Sequence, residues 1–202
     1  LAALVLVVLC LSPFSSYAQA TPGKATKKAP SGGAGVYLLT IGPGPLLFER
    51  FGHRAILFIS NDRSEPIVFS FGYFNFEQEN FYLNFFQGRM LYGMSRNPWH
   101  AELGYYTSVG REVWNQKLNL SSDKAEKLRL QVEQLYASEQ RNYRYEYYRS
   151  NCSTKIRDLF NEAFGGQIKP QLEKLNSRQT YRSQTYRLLA DFPMARFGMS
   201  VV

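Results

Sequence analysis

The stretch Arg149-Ser150-Asn151-Cys152-Ser153-Thr154 opens the segment that decides how this chain is predicted to fold. The sequence from Cys152 to Phe164 has apolar residues at helical spacing, which predicts a helix with one buried face. Cys152 lies four residues before Ile156 and therefore belongs to that face. The helix ends at Gly165-Gly166, and its predicted buried residues are Ile156, Leu159, Phe160 and Ala163.

Cys152 is predicted to be the single cysteine of the mature protein. The other, Cys10, lies in Leu1–Ala20, where an apolar run is followed by Ala18-Gln19-Ala20, a pattern typical of a secretory signal. Exported proteins usually pair their cysteines, so a lone one is either an inert core residue or a reactive thiol. A helix N-terminus favours the thiolate, and the polar neighbours of Cys152 favour a functional thiol.

The chain divides into three predicted parts. Residues 1–20 form the signal peptide, residues 21–35 form a flexible linker rich in Gly, Ala, Lys and Pro, and residues 36–202 form one globular domain. The apolar ending Gly198–Val202 has no polar tail, which we expect of a truncated C-terminus, and it leaves open a membrane-spanning continuation.

The composition is basic, which is compatible with an anionic partner, and it offers few metal ligands. The formal net charge is +8, and Lys24, Lys27 and Lys28 lie in the linker, which leaves about +5 on the domain. For an exported chain, a membrane surface is a better match to this charge than nucleic acid, although ordinary solubility charge explains it equally well. One usable cysteine and two distant histidines are too few for a zinc site. No phosphate-binding loop is present, so we expect no metal and no cofactor.

Alternating segments predict an antiparallel sheet packed against helices, an α+β fold. Strands are expected at Val36–Ile41, His53–Ser60 and Ile67–Phe74, the last two forming a hairpin. A helix is expected at Glu77–Gln87, and a loop around Asn97-Pro98-Trp99-His100.

A catalytic thiol needs a base, and the sequence offers two histidines. We favour His53 over His100 because a strand holds an imidazole more rigidly than a loop does. The pair predicts acyl transfer, in which Cys152 attacks a carbonyl and forms an acyl-thioester. Backbone N–H groups at the helix start, helped by Asn151, would hold the oxyanion. Ser70 and Glu49 are both candidates to orient His53, and the sequence does not choose between them.

Several short motifs occur in an order that resembles a known family. They are Phe51-Gly52-His53, Phe71-Gly72-Tyr73-Phe74-Asn75-Phe76, Gly110-Arg111, Leu118-Asn119-Leu120, Tyr143-Arg144-Tyr145 and Asn151-Cys152-Ser153-Thr154 with Arg157-Asp158. The chain resembles the periplasmic domain of a bacterial lipoprotein N-acyltransferase family, long catalogued as a domain of unknown function. That family is similar to circularly permuted NlpC/P60 (papain-like) thiol enzymes, in which the histidine strand precedes the cysteine helix.

The resemblance implies a specific reaction. Cys152 would be the nucleophile and His53 the base, and a fatty acyl chain would pass from a phospholipid to the N-terminal amine of a lipoprotein. The protein would then act in the periplasm, at the outer face of the inner membrane, without contact with nucleic acid. Two alternatives stay open at this point: a cysteine hydrolase of cell-envelope peptides or amides on the same scaffold, and a non-catalytic envelope binding module.

Overall fold

A computed structural model describes residues 30, 33–62, 64–73, 91–146, 148–175 and 179–201, with side chains described as far as residue 197. Within these residues, six antiparallel strands form one sheet in the order β5-β1-β2-β3-β4-β6. The strands are β1 Gly35–Ile41, β2 His53–Ile59, β3 Ile67–Tyr73, β4 Leu91–Pro98, β5 Val113–Lys117 and β6 Tyr143–Arg144.

Helices cover both faces of the sheet. They are α1 Trp99–Ser108, α2 Ser122–Ala137, α3 Cys152–Ala163, α4 Ile168–Glu173, α5 Tyr181–Leu188 and α6 Pro193–Val201, and two 3-10 helices span Leu47–Phe51 and Glu139–Arg141. None of the helices in the described ranges is long and apolar enough to span a bilayer.

Strand alternation divides the core into two layers. On β2, Ala55 and Leu57 pack with Trp99 and Tyr106 of α1. Ile56 and Phe58 point the other way, into a cluster formed with α2 and α3. Because neighbouring residues of a strand face opposite sides of the sheet, His53 belongs to the α1 face and Arg54 to the α3 face.

The predicted fold class is confirmed: the domain is α+β, with an antiparallel sheet packed against helices. The finer expectation of a permuted NlpC/P60 arrangement stays a prediction. The strands and helices predicted at β1, β2, β3 and α3 are present within about a residue of the expected bounds. The helix expected at Glu77–Gln87 and the signal at residues 1–20 lie outside the described residues.

The predicted loop around Asn97-Pro98-Trp99-His100 is wrong. Strand β4 continues through Pro98, and α1 begins at Trp99. Pro98 has φ −58°, an angle that suits the residue preceding a helix, and the Trp99 ring is buried in the α1 layer. The pair therefore marks a strand-to-helix junction that is stabilised by burial of Trp99.

Candidate functional site

The candidate site lies where β2 and β3 separate. Their pairing begins at Ala55 and Ser70 and does not extend to the start of β2. On β3 the ladder is interrupted between Phe71 and Tyr73, where Gly72 has φ +88° and a Cβ would lie 3.1 Å from the Tyr145 ring. Glycine suits both the positive φ and the close approach. The N-terminus of α3 meets the sheet beside this gap.

Cys152 is completely buried at this junction, with 0% of its surface exposed. It belongs to the apolar cluster that includes Ile56, Phe71, Met94 and Ile156. Burial raises the pKa of the Cys152 thiol, because an ionised sulfur is disfavoured away from water. The expectation of a thiolate produced by the helix N-terminus is therefore wrong for this arrangement, since desolvation outweighs the helix and its donors.

Polar groups nevertheless surround the sulfur. The backbone N–H groups of Arg54 and Ser153, the Ser153 hydroxyl and the Arg54 guanidinium all act to lower the pKa of Cys152. The Ser153 oxygen lies beside the sulfur but forms no well-directed hydrogen bond with any described residue. These groups favour negative charge on the sulfur, but burial has the larger effect and the pKa of Cys152 remains raised.

Asn151 caps α3. Its side chain accepts a hydrogen bond from the Thr154 N–H (3.0 Å), and its own N–H donates to Thr154 Oγ1 (2.8 Å). Asn151 is 1% exposed. The described contacts are those of a reciprocal capping box, which fixes the helix start and with it the position of Cys152. Participation of Asn151 in an oxyanion hole stays a prediction.

His53 lies in a separate cavity of about 350 Å³, which we call the His53 cavity. Burial, with a smaller contribution from the nearby Arg111 charge, lowers the pKa of His53 to about 4. The imidazole is therefore neutral at neutral pH and can accept a proton, although it cannot serve as the standing cation of a thiolate–imidazolium pair. The residues that line the His53 cavity include Glu49, Ser70, Tyr105 and Arg111.

Glu49 forms a buried ion pair in this cavity. Its Oε1 lies 3.3 Å from Arg111 Nη1 and accepts a hydrogen bond from the Tyr105 hydroxyl (3.1 Å). Arg111 Nε donates to the Gly42 carbonyl (2.9 Å). Glu49 is 3% exposed, so it is not a solvated loop charge, and its described partners do not include His53. The Gly110-Arg111 motif was the sequence signal for Arg111, but it gave no hint of this partner.

Ser70 lines the same cavity as His53. Its side chain is buried, and its hydroxyl oxygen has no hydrogen-bond partner among the described residues. The register places Ser70 opposite Ala55, on the face of the sheet to which His53 belongs. Ser70 is thus near the imidazole without being bonded to it, and its role in orienting His53 stays a prediction.

The structure does not bring Cys152 and His53 into contact. Cys152 packs on the α3 face and His53 points into the cavity on the α1 face. No hydrogen bond joins them in the described part of the chain. The two side chains lie on opposite faces of the sheet, although the backbone of β2 passes close to the sulfur. The peptide that links His53 to Arg54 lies beside Cys152. The catalytic pairing stays a prediction.

A second cavity, of about 520 Å³, opens at the N-terminus of α3, and we call it the α3 cavity. It is lined by the residues on either side of Cys152, namely Asn151 and Ser153, together with three arginines. Those arginines are Arg54, Arg149 and Arg157.

In the described ranges, no group of three or more His, Cys, Asp or Glu side chains is placed to bind a metal ion. His100 is exposed and pairs with Glu65. It is not among the described lining residues of either cavity.

Comparisons with known proteins identify the family. A family model described as the Lnb N-terminal periplasmic domain matches residues 24–191. Searches of curated proteins and of solved structures gave no significant match. The match covers β1 to α5 and both cavities, and a periplasmic domain family fits a periplasmic location. The chain therefore belongs to the Lnb N-terminal periplasmic domain family, which is associated with lipoprotein-modifying enzymes.

Proposed function

We propose that this domain transfers a fatty acyl chain from a phospholipid to the N-terminal amine of a bacterial lipoprotein, through a thioester on Cys152. We place the reaction at the outer face of the inner membrane. Family membership supports the reaction class. The net charge of +8 suits work at an anionic bilayer.

The environment of the sulfur is the observation that carries the proposal. Cys152 is the first residue of α3, and donors from Arg54 and Ser153 favour negative charge on it. Burial opposes them and keeps the free enzyme's thiol protonated. A substrate that binds the Arg54 side chain in the α3 cavity and moves it away from Cys152 would expose the sulfur, and exposure to water would lower the raised pKa of the thiol. In this proposal the described arrangement is the resting state.

The reaction has two transfers. The Cys152 sulfur attacks the ester carbonyl of the phospholipid, an S–C bond forms, the ester C–O bond breaks, and the thiol proton passes to the base and then to the departing lysophospholipid alkoxide. The lipoprotein amine then attacks the thioester, an N–C bond forms and the C–S bond breaks. The amine's proton returns through the base to the Cys152 thiolate.

We propose His53 as that base. The first peptide of β2 already lies beside the sulfur, and Gly52, with φ +69°, precedes it. Turning this strand end would carry the imidazole from the α1 face toward Cys152. His53 is neutral at neutral pH, because burial and Arg111 lower its pKa to about 4. Leaving this buried position, and with it the charge of Arg111, would raise the pKa of His53 toward its ordinary value and strengthen it as a base.

The test is a two-substrate assay with the full chain, phospholipid vesicles and a synthetic diacylglyceryl-cysteine peptide. Mass spectrometry of the peptide should show a gain of one acyl group, and phospholipid should be converted to lysophospholipid in equal amount. Cleavage of the peptide without acylation would instead support the cysteine hydrolase. If the folded protein neither acylates nor cleaves the peptide, the result would count against both the acyltransferase and the hydrolase.

Complete burial of the sulfur and its separation from His53 favour a second candidate, a non-catalytic envelope binding module. In that case Cys152 is a core residue, and Cys152→Ser should bind lipoprotein or vesicles as the unaltered protein does. The acylation assay separates the two functions, because a module forms no acylated peptide at any concentration.

A further inference from the structure

We infer that the α3 cavity binds the phosphate of a phospholipid headgroup, held by Arg54, Arg149 and Arg157. The inference deepens the proposed function and rests on it for the identity of the lipid. It assigns the recognition of the acyl donor to named side chains beside the buried sulfur.

Charge is the first argument. Three guanidinium groups line the α3 cavity, and no Asp or Glu is among its described lining residues. Within the part of the chain that the structure describes, Arg149 forms no ion pair, and Arg54 Nε is buried without a hydrogen-bond partner. Arg157 is partly neutralised by Asp158 (2.8 Å), which also binds Lys169 (3.1 Å). Arginines that line one cavity repel one another unless an anion lies between them, and a phosphate accepts bidentate hydrogen bonds from arginine.

A second argument comes from unpaired donors at the helix start. The Ser153 side chain is only 8% exposed, lines the cavity, and has no hydrogen-bond partner within the described residues. Such orphaned polar groups are rare in folded proteins unless a ligand or water completes them. The N-terminus of α3, a helix of 12 residues, adds a positive field in the same place.

The apolar rim distinguishes a lipid from free phosphate. Leu172, Leu175 and Tyr181 line the cavity and are 44%, 47% and 54% exposed. Exposed leucines beside an arginine cluster match an amphipathic ligand, whose phosphate enters the polar part while the start of an acyl chain lies along the leucines. Phosphate alone would leave this surface in water.

The experiment measures binding separately from chemistry. Cys152→Ala is prepared in the full chain so that no turnover occurs, and dihexanoyl phosphatidylglycerol is titrated below its micelle concentration in a calorimeter. Arg149→Gln and Arg157→Gln are each introduced on this background. Each should weaken binding about tenfold, the value expected for losing a charged hydrogen bond. The matched control is Arg144→Gln, which removes the same charge from exposed β6, outside the cavity, and should change the affinity less than about twofold.

Further ligands distinguish the sources of phosphate. Dihexanoylglycerol, which lacks phosphate, should bind at least about tenfold more weakly than the phospholipid. Inorganic phosphate should compete only at much higher concentration, because it does not reach the leucine rim. Equal affinity for inorganic phosphate would overturn the lipid assignment, and unchanged affinity in both arginine variants would overturn the site. Binding that follows the arginines without any acylation by the unaltered chain would refute the proposed function and leave the site standing.

Discussion

The two cavities at the start of β2 differ in how the charge of their arginines is balanced. In the His53 cavity, Arg111 forms a buried ion pair with Glu49, and the charge of Arg111 helps keep His53 neutral. In the α3 cavity, three arginines are present and no carboxylate is among the described lining residues. Unpaired polar atoms alone do not distinguish the cavities, because each holds two in the described chain: Ser70 Oγ and Arg111 Nη2 in the first, and Arg54 Nε and Ser153 Oγ in the second. A paired charge stabilises a fold, whereas a group of arginines without a carboxylate attracts an anion, so we assign the α3 cavity to substrate.

Replacing Cys152 by Ala gives the largest expected effect. Loss of the proposed nucleophile should lower the rate of lipopeptide acylation by on the order of a thousandfold or more, since the acyl chain is carried on the Cys152 sulfur in this mechanism. The rate is measured by mass spectrometry of the peptide. Retention of the melting temperature within a few degrees is the control for folding. An Ala variant that acylates as fast as the parent would leave Cys152 as a packing residue only.

Breaking the Glu49–Arg111 pair should destabilise the protein most. Arg111→Gln leaves the Glu49 carboxylate buried without its charge partner, and such changes cost about 3–5 kcal/mol in the free energy of unfolding. Asp191→Asn is the control, because it removes an ion pair with Arg50 whose Asp side chain is 71% exposed. That pair should contribute less than about 1 kcal/mol. Urea unfolding measures the free energy of unfolding of both variants. Equal losses in the two would contradict the expectation that the buried Glu49–Arg111 pair contributes more than the exposed pair.

The pH dependence of stability should report on His53. Its pKa is about 4 in the folded protein and about 6.5 in the unfolded chain, so the unfolded state binds more protons between these values. The contribution of His53 to the free energy of unfolding is therefore fully present above about pH 6.5, and up to about 3 kcal/mol of it is lost as the pH decreases to 4. His53→Gln should remove this decline, as measured by urea unfolding at a series of pH values.

The exposed His100 is the matched control for that series. His100→Gln should keep the acid-induced loss of stability, because this change leaves His53 and its cavity unaltered. If His100→Gln flattens the profile and His53→Gln does not, the His53 cavity is not the source of the effect.

Removing the α3 cap should have the smallest effect on stability. Asn151→Ala deletes the acceptor for the Thr154 N–H and should cost about 1 kcal/mol, while Asn151→Ser should restore part of it. Thr180→Ala removes the equivalent cap of α5, where Thr180 accepts from the Ser183 N–H (3.1 Å). Only the α3 variant should also slow acylation, because only α3 positions the sulfur. Equal acylation rates in the two Ala variants would show that the α3 cap is not needed to position Cys152 for the reaction.

Periodicity was sufficient to predict the sheet and α3, because those segments follow the periods of 2 and 3.6 closely. The buried face of α3 was predicted correctly at Ile156, Leu159 and Phe160. The strand-to-helix junction at Pro98-Trp99 was missed, since proline before an aromatic residue is also typical of a loop, and only burial of Trp99 distinguishes the two.

The site was less predictable than the fold. His53, Ser70 and Glu49 do line one cavity; the first two lie on the β2–β3 hairpin and Glu49 lies just upstream of it. Arg111, the partner of Glu49, lies just before β5 and is distant in sequence, and a single sequence does not reveal such a pairing. The strand alternation that places His53 opposite to Arg54 could have been read from the sequence, but the position of α3 on the Arg54 side could not.

The most direct test of the central claim is a search for the thioester itself. The full chain is incubated with phospholipid vesicles, denatured in acid and digested, and the peptide containing Cys152 is analysed by tandem mass spectrometry. We expect an acyl group on the Cys152 sulfur, removed by neutral hydroxylamine, and its disappearance when the lipopeptide acceptor is added. An unmodified Cys152 under conditions in which the acceptor becomes acylated would contradict the thioester mechanism.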